Sequence, residues 1–186
     1  MDVQPAGWNS AQDGGYGADW TAENGAAPLL DELLGGELRT ARSWARKEAD
    51  RRSHGRPRRG DGVTHDDVVA QLMFGAWVKL IRPLSAAASS QRHRLLWEEA
   101  VSSAFPNADT TDAGRILIGG QLETLRRLRN RVAHHDNLLG VEVNRRFNGM
   151  LSLLAKIDRS YPDLAAARSQ LRRLHRQDPR RLWSPV

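Results

Sequence analysis

Cysteine is absent from all 186 residues. That absence excludes disulfides, Cys-ligated zinc, iron–sulfur clusters and a thiol nucleophile. Phe and Tyr are scarce, three and two residues beside six Trp. No run approaches the ~18 uninterrupted apolar residues of a membrane-spanning helix. The opening residues hold Gly, Asp, Asn and Gln, with neither a basic n-region nor an apolar h-region, so no secretory signal is expected. The length fits one domain able to bury a core without covalent staples. These features predict a soluble, cytoplasmic protein with no membrane partner.

Positive charge is missing from one end. Residues 1–38 contain no Lys or Arg, but do contain Asp2, Asp13, Asp19, Glu23, Asp31, Glu32 and Glu37. All 28 basic residues therefore lie beyond them, and the net charge is still +6. The excess is Arg, since Lys47, Lys79 and Lys156 are the only lysines. Arg suits bidentate phosphate recognition. On charge alone, a solvated basic surface and a nucleic-acid surface fit equally well.

Residues 1–27 lack any period and read as a flexible or loosely docked acidic arm. Residues 28–183 read as the folded domain. Its first segment, 28–50, is helical with a break expected at Gly35-Gly36, and 51–62 is a basic Gly- and Pro-containing linker. Thr64 and Asp67 stand at capping-box spacing. They open a helix that carries Val68, Leu72, Ala76 and Leu80 at helical intervals and ends at Pro83. A second runs from about Ser89 to Phe105, burying Leu95, Leu96, Val101 and Ala104. Asp112 caps a third, with Ile116, Ile118, Leu122, Leu125, Leu128 and Val132 as its apolar positions. Residues 138–158 and 163–177 are two further amphipathic segments, parted by Tyr161-Pro162. No stretch alternates with period two. The pattern predicts an all-α, antiparallel helical bundle of about five helices.

The densest polar cluster is LRRLRNRVAHHDNLL, holding Arg126, Arg127, Arg129, Asn130, Arg131, His134, His135 and Asp136. Arginines bind and neutralise phosphate oxygens, and an imidazole takes or gives a proton near neutral pH. Together they suit cleavage of RNA by its own 2′-hydroxyl, which requires no metal. A solvated or capping set is the plain alternative. A His–His–Asp metal patch is disfavoured, because adjacent residues on a helix point apart. Asn130 and His134 share a helix face, whereas Arg129 and His134, five apart, diverge by about 140° on an unbroken helix. Either the helix unwinds near His134 or a second subunit completes the site.

The RNRVAHH block resembles the Arg-x(4–6)-His motif of the HEPN superfamily of helical ribonucleases. With VVAQLMFGAWVKL at 68–80, LLW at 95–97, AFP at 104–106 and LRNRVAHHDNL at 128–138, the chain is similar over about residues 37–183 to its Abi-like, abortive-infection members. The resemblance implies a HEPN-like bundle working as a homodimer. It implies that Arg129 contacts the scissile phosphate, Asn130 orients the histidine or phosphate, and His134 transfers a proton. Arg131 and His135 would support them, with His135 able to exchange roles with His134, and Arg126 and Arg127 would bind RNA. In Phe74-Gly75-x-Trp77, glycine would allow close helix approach and the two aromatics would pack the core. One departure is Asp136-Asn137 where relatives commonly have Glu-Pro. Another is the absence of a Tyr two places after His134, which removes one mode of antitoxin control.

Three functions follow. The first is a metal-independent endoribonuclease, without cofactor, acting as a toxin or phage-defence effector with RNA and a cognate antitoxin as partners. The second is a non-catalytic RNA-binding or protein-interaction module of the same fold, using the basic stretch 51–60 and the Arg-rich 168–181. The third is a helical interaction protein whose acidic arm meets its basic body. Steep salt dependence would separate the first two from the third.

Overall fold

The structure, a computed structural model, describes residues 20–23, 28–52, 55, 58–83 and 91–178. Among these there are α-helices and one 3-10 turn, and no strand: α1 (Pro28–Asp50), α2 (His65–Gln71), α3 (Phe74–Ile81), α4 (Gln91–Glu99), the turn Val101–Ala104, α5 (Asp112–Ala133), α6 (Val143–Ile157), α7 (Tyr161–Arg168) and α8 (Leu171–Arg176). The chain is all-α, as its periodicity predicts. It has more helices than expected because three of the expected segments are divided, 64–83 into α2 and α3, 89–105 into α4 and the 3-10 turn, and 163–177 into α7 and α8. No helix among the described residues is long and apolar enough to cross a membrane.

Helix α1 runs straight through Gly35-Gly36, where a break was expected. Leu30, Leu34, Leu38, Ala41 and Ala45 recur every three or four residues and are all buried. Each buried leucine contributes about 1.5–3 kcal/mol, which outweighs the ~0.5–1 kcal/mol cost of each helical glycine. The opposite correction applies at Leu72-Met73. No Gly or Pro stands there, yet both residues are extended, with ψ of 121° and 155°, and split the expected 64–83 helix into α2 and α3. The split lets α2 lie along α1 while α3 packs on α1, α4 and α5. Buried Leu72 fills the corner between them.

The capping box forms as read. The Thr64 backbone N–H donates to Asp67 at 2.9 Å and the Asp67 N–H donates to the Thr64 hydroxyl. Arg52 and Arg58 of the basic linker also donate to Asp67, both at 2.8 Å. The Thr64 backbone N–H, with help from Arg58, holds the Asp67 carboxyl at about 2. In α4, Leu96 and Trp97 are buried but Leu95 is 42% exposed. In α5, Thr111 rather than Asp112 is the N-cap, and Ile118 is buried while Ile116 and Val132 face outward. Tyr161-Pro162 begins α7 instead of separating two helices, since proline fits the first turn.

Part of the expected arm is docked. Trp20 is buried edge-on against His65 and Trp77, with centroids 5.6 and 6.3 Å apart. Arg42 of α1 donates to the Thr21 and Ala22 carbonyls, and Thr21 Oγ1 lies 3.0 Å from His65 Nδ1. The rest of the arm, 1–19 and 24–27, lies outside the described residues.

Candidate functional site

Helix α5 carries every residue of the Arg/His cluster that is helical, and its N-terminal half is fixed by close packing. A Cβ on Gly114 would lie 1.8 Å from the Asp109 carbonyl oxygen, and one on Gly119 3.1 Å from the Arg82 Cβ. Arg115 is buried, donating from Nε to Asp112 at 2.6 Å and from Nη1 to the Ile81 carbonyl at 2.7 Å. That second bond satisfies an orphan carbonyl at the end of α3 and ties α3 to α5.

About two turns further on, Glu123 is buried and receives both arginines expected to bind RNA. Arg126 donates to it through Nε and Nη2 at 2.7 and 2.9 Å, and Arg127 through Nε at 2.7 Å. The Arg126 hydrogen bonds, helped by Arg127, pull the Glu123 carboxyl down to about 2. The same pairing raises Arg126 further. The three side chains together carry one positive charge, not two. Glu123 escaped the sequence reading, although its spacing three and four residues before the two arginines is the signal that finds it.

Beyond this clamp the helix ends in solvent. Arg129 is exposed, and its Nη1 donates to Asn130 Oδ1 at 3.3 Å. His134 is the C-cap, with φ −95° and ψ 10°, and its N–H donates to the Asn130 carbonyl. His135 has φ 54°, its N–H donates to Val132 O at 3.1 Å, and the Asp136 N–H reaches Arg131 O at 2.8 Å. This pair of bonds is a Schellman motif with histidine in the left-handed position that glycine usually fills. Arg131 donates to the Asn137 carbonyl and so braces the reversal. The helix does unwind at His134, one of the two resolutions of the face mismatch. Unwinding sets His134 and His135 in different backbone wells. Both imidazoles are exposed and neither makes a side-chain hydrogen bond with the described residues. Arg129 and His134 are likewise not joined by one.

Phe74 and Trp77 are half-buried, and only Trp77 packs on the core cluster. A Cβ on Gly75 would meet nothing nearer than Arg126 Cδ at 3.8 Å, so close helix approach does not require this glycine. Among the described residues no three His, Asp or Glu side chains are grouped to hold a metal ion. Comparison with protein-family models, curated proteins and solved structures finds no match to this chain.

Proposed function

We propose that the chain is an endoribonuclease that cuts RNA through its 2′-hydroxyl, with the exposed end of α5 as the site. The observation that carries this reading is the contrast of charge along one helix. Arg126 and Arg127 share the Glu123 carboxylate, which cancels one of their two charges, whereas Arg129, His134 and His135 stand exposed and Asn130 half-buried, with no carboxylate of the described residues bonded to them. Arg129 would bind the non-bridging phosphate oxygens. His134 would take the 2′-hydroxyl proton as the 2′-oxygen bonds to phosphorus and the bond to the 5′-oxygen breaks. The leaving oxygen needs a proton from a second group. His134 and His135 occupy different backbone wells, and in this reading one phosphate would receive one imidazole from each of two copies. The HEPN-like bundle, the homodimer and a role as toxin or phage-defence effector come with the family resemblance. Apolar surface for a second copy is present, since Val132 and Leu139, 53% and 67% exposed, border the two histidines in sequence.

A second reading, RNA binding without cleavage, is favoured because no side chain of the described residues is hydrogen-bonded to either imidazole. The deciding experiment is RNA cleavage by purified protein in EDTA, for wild type, Arg129→Ala and His134→Ala. The expected result is 2′,3′-cyclic phosphate ends, with rates falling roughly 100-fold or more in both variants, the scale of a lost acid–base group. Binding without cutting in the wild type would hand the site to the second reading.

A further inference from the structure

A cavity of about 480 Å³ opens between α1 and α3, beside the Arg126 turn of α5. Two glycines line it, Gly36 from α1 and Gly75 from α3. Glycine weakens a helix interior relative to alanine, so it calls for a reason. Gly114 and Gly119 have one, because a Cβ would collide with the neighbouring chain. Gly36 and Gly75 do not. A Cβ on Gly36 would meet nothing within 4 Å, and one on Gly75 only an ordinary contact. What their missing side chains leave open is the cavity itself, the arrangement expected where a ligand approaches backbone.

The other walls describe the ligand. Trp44 and Met73 line the cavity yet are 41% and 55% exposed, an aromatic face and a polarisable thioether turned toward solvent. Trp77 and Trp97 are packed against the core or within it, which leaves Trp44 as the exposed tryptophan of the described residues. An exposed indole is the usual stacking surface for an unpaired base. Polar groups stand beside it. The Glu37 carboxylate is fixed by Lys79 at 2.9 and 3.0 Å, and Arg126 keeps Nη1 outside its bonds to Glu123. A fixed acceptor and a fixed donor suit the amino and carbonyl groups on the edge of a base. The cavity also reaches the helix that carries the candidate site, through Arg126. Arg126 and Asn130 share a face of α5, and His134 lies eight residues on, about 12 Å along the helix axis.

We propose that this cavity holds the base of a nucleotide, stacked on Trp44, with its phosphates directed along α5 toward Arg129. The choice of a base over other flat polar heterocycles rests on the RNA reading of the α5 end. The ligand's chemistry is shared by a free mononucleotide and by a residue of single-stranded RNA.

The test titrates the full chain with the four ribonucleoside monophosphates and with a short single-stranded RNA, read by tryptophan fluorescence and by a competition assay. Quenching is expected in the wild type. Trp44→Phe should keep affinity within a few-fold but lose the quenching. Trp44→Ala should weaken binding roughly tenfold or more, the usual scale for one stacking aromatic. Gly36→Leu, whose side chain has room and whose helix is strengthened, should weaken it similarly without lowering Tm. Equal binding of monophosphates and RNA would identify the free nucleotide as ligand, and much tighter RNA binding would identify the strand. Undiminished affinity in both Trp44→Ala and Gly36→Leu would overturn the inference. The two proposals fail separately. Nucleotide binding through Trp44 with no RNA cut leaves this site standing alone, and His134-dependent cleavage indifferent to both cavity variants removes it alone.

Discussion

Gly114, Arg115, Ile118 and Gly119, in the first half of α5, are buried against the α3 end and the segment before α5, while Arg129, His134 and His135 at its far end are exposed. Glu123 marks the boundary, buried but bonded to two side chains that lean outward. A single helix is thus clamped at one end and presented at the other. The clamped half sets where the presented end points, so changes in the first half should register as stability and changes in the second as chemistry.

The largest effect is expected from Gly114→Ala. Its Cβ would overlap the Asp109 carbonyl, so the backbone must shift, at a cost of about 3 kcal/mol. In a chain of this size that is a fall of roughly 10 °C in Tm, read by thermal denaturation. A wild-type Tm would mean that the first half of α5 is not an anchor. Next comes Glu123→Gln, which leaves two arginines without their carboxylate. Because Arg127 is largely solvated, the cost at neutral pH is on the order of 2 kcal/mol. The sign of its pH dependence follows from the lowered carboxyl. A group held at about 2 in the folded chain and near 4.5 otherwise stabilises above 4.5 and loses that contribution as pH falls toward 2. Wild type and variant should therefore converge across that window in urea titrations, and a constant gap would deny the clamp. The smallest effect is expected from His135→Gly. Relief of the left-handed strain, offset by added freedom of the unfolded chain, should stabilise by ~0.5 kcal/mol. If cleavage falls in the same variant, the strained histidine is retained for chemistry; if stability falls, its side chain has a structural partner instead.

What could be read in advance was local. The Thr64–Asp67 capping box spans four residues and formed as written. The unwinding near His134 was one of two alternatives that helix geometry alone left open. The break at Leu72-Met73 was invisible, because no residue there resists a helix and the reason lies in α1 and α5, to which the two halves are packed. Continuity through Gly35-Gly36 was hidden for the converse reason, since leucines facing the core overrule two poor helix formers. At the site, residue types were legible and their states were not. RRLRNR reads as a uniform basic run until the buried Glu123 divides it into a half-compensated pair and an uncompensated end. The burial of Trp20 was equally out of reach, as nothing in the Gly- and Asp-rich sequence around it marks it for the core.

The Trp20–Trp77 pair has a consequence for optics. Two indoles held edge-on at 6.3 Å couple their electronic transitions, and coupled chromophores in a fixed chiral setting give a paired positive and negative band in circular dichroism. That band needs the two rings held together, so its decay follows the departure of the Trp20 segment from α3. The helical signal follows the rest of the molecule. The protein therefore carries an intrinsic gauge that separates undocking of its leading segment from loss of its helices, with no label attached.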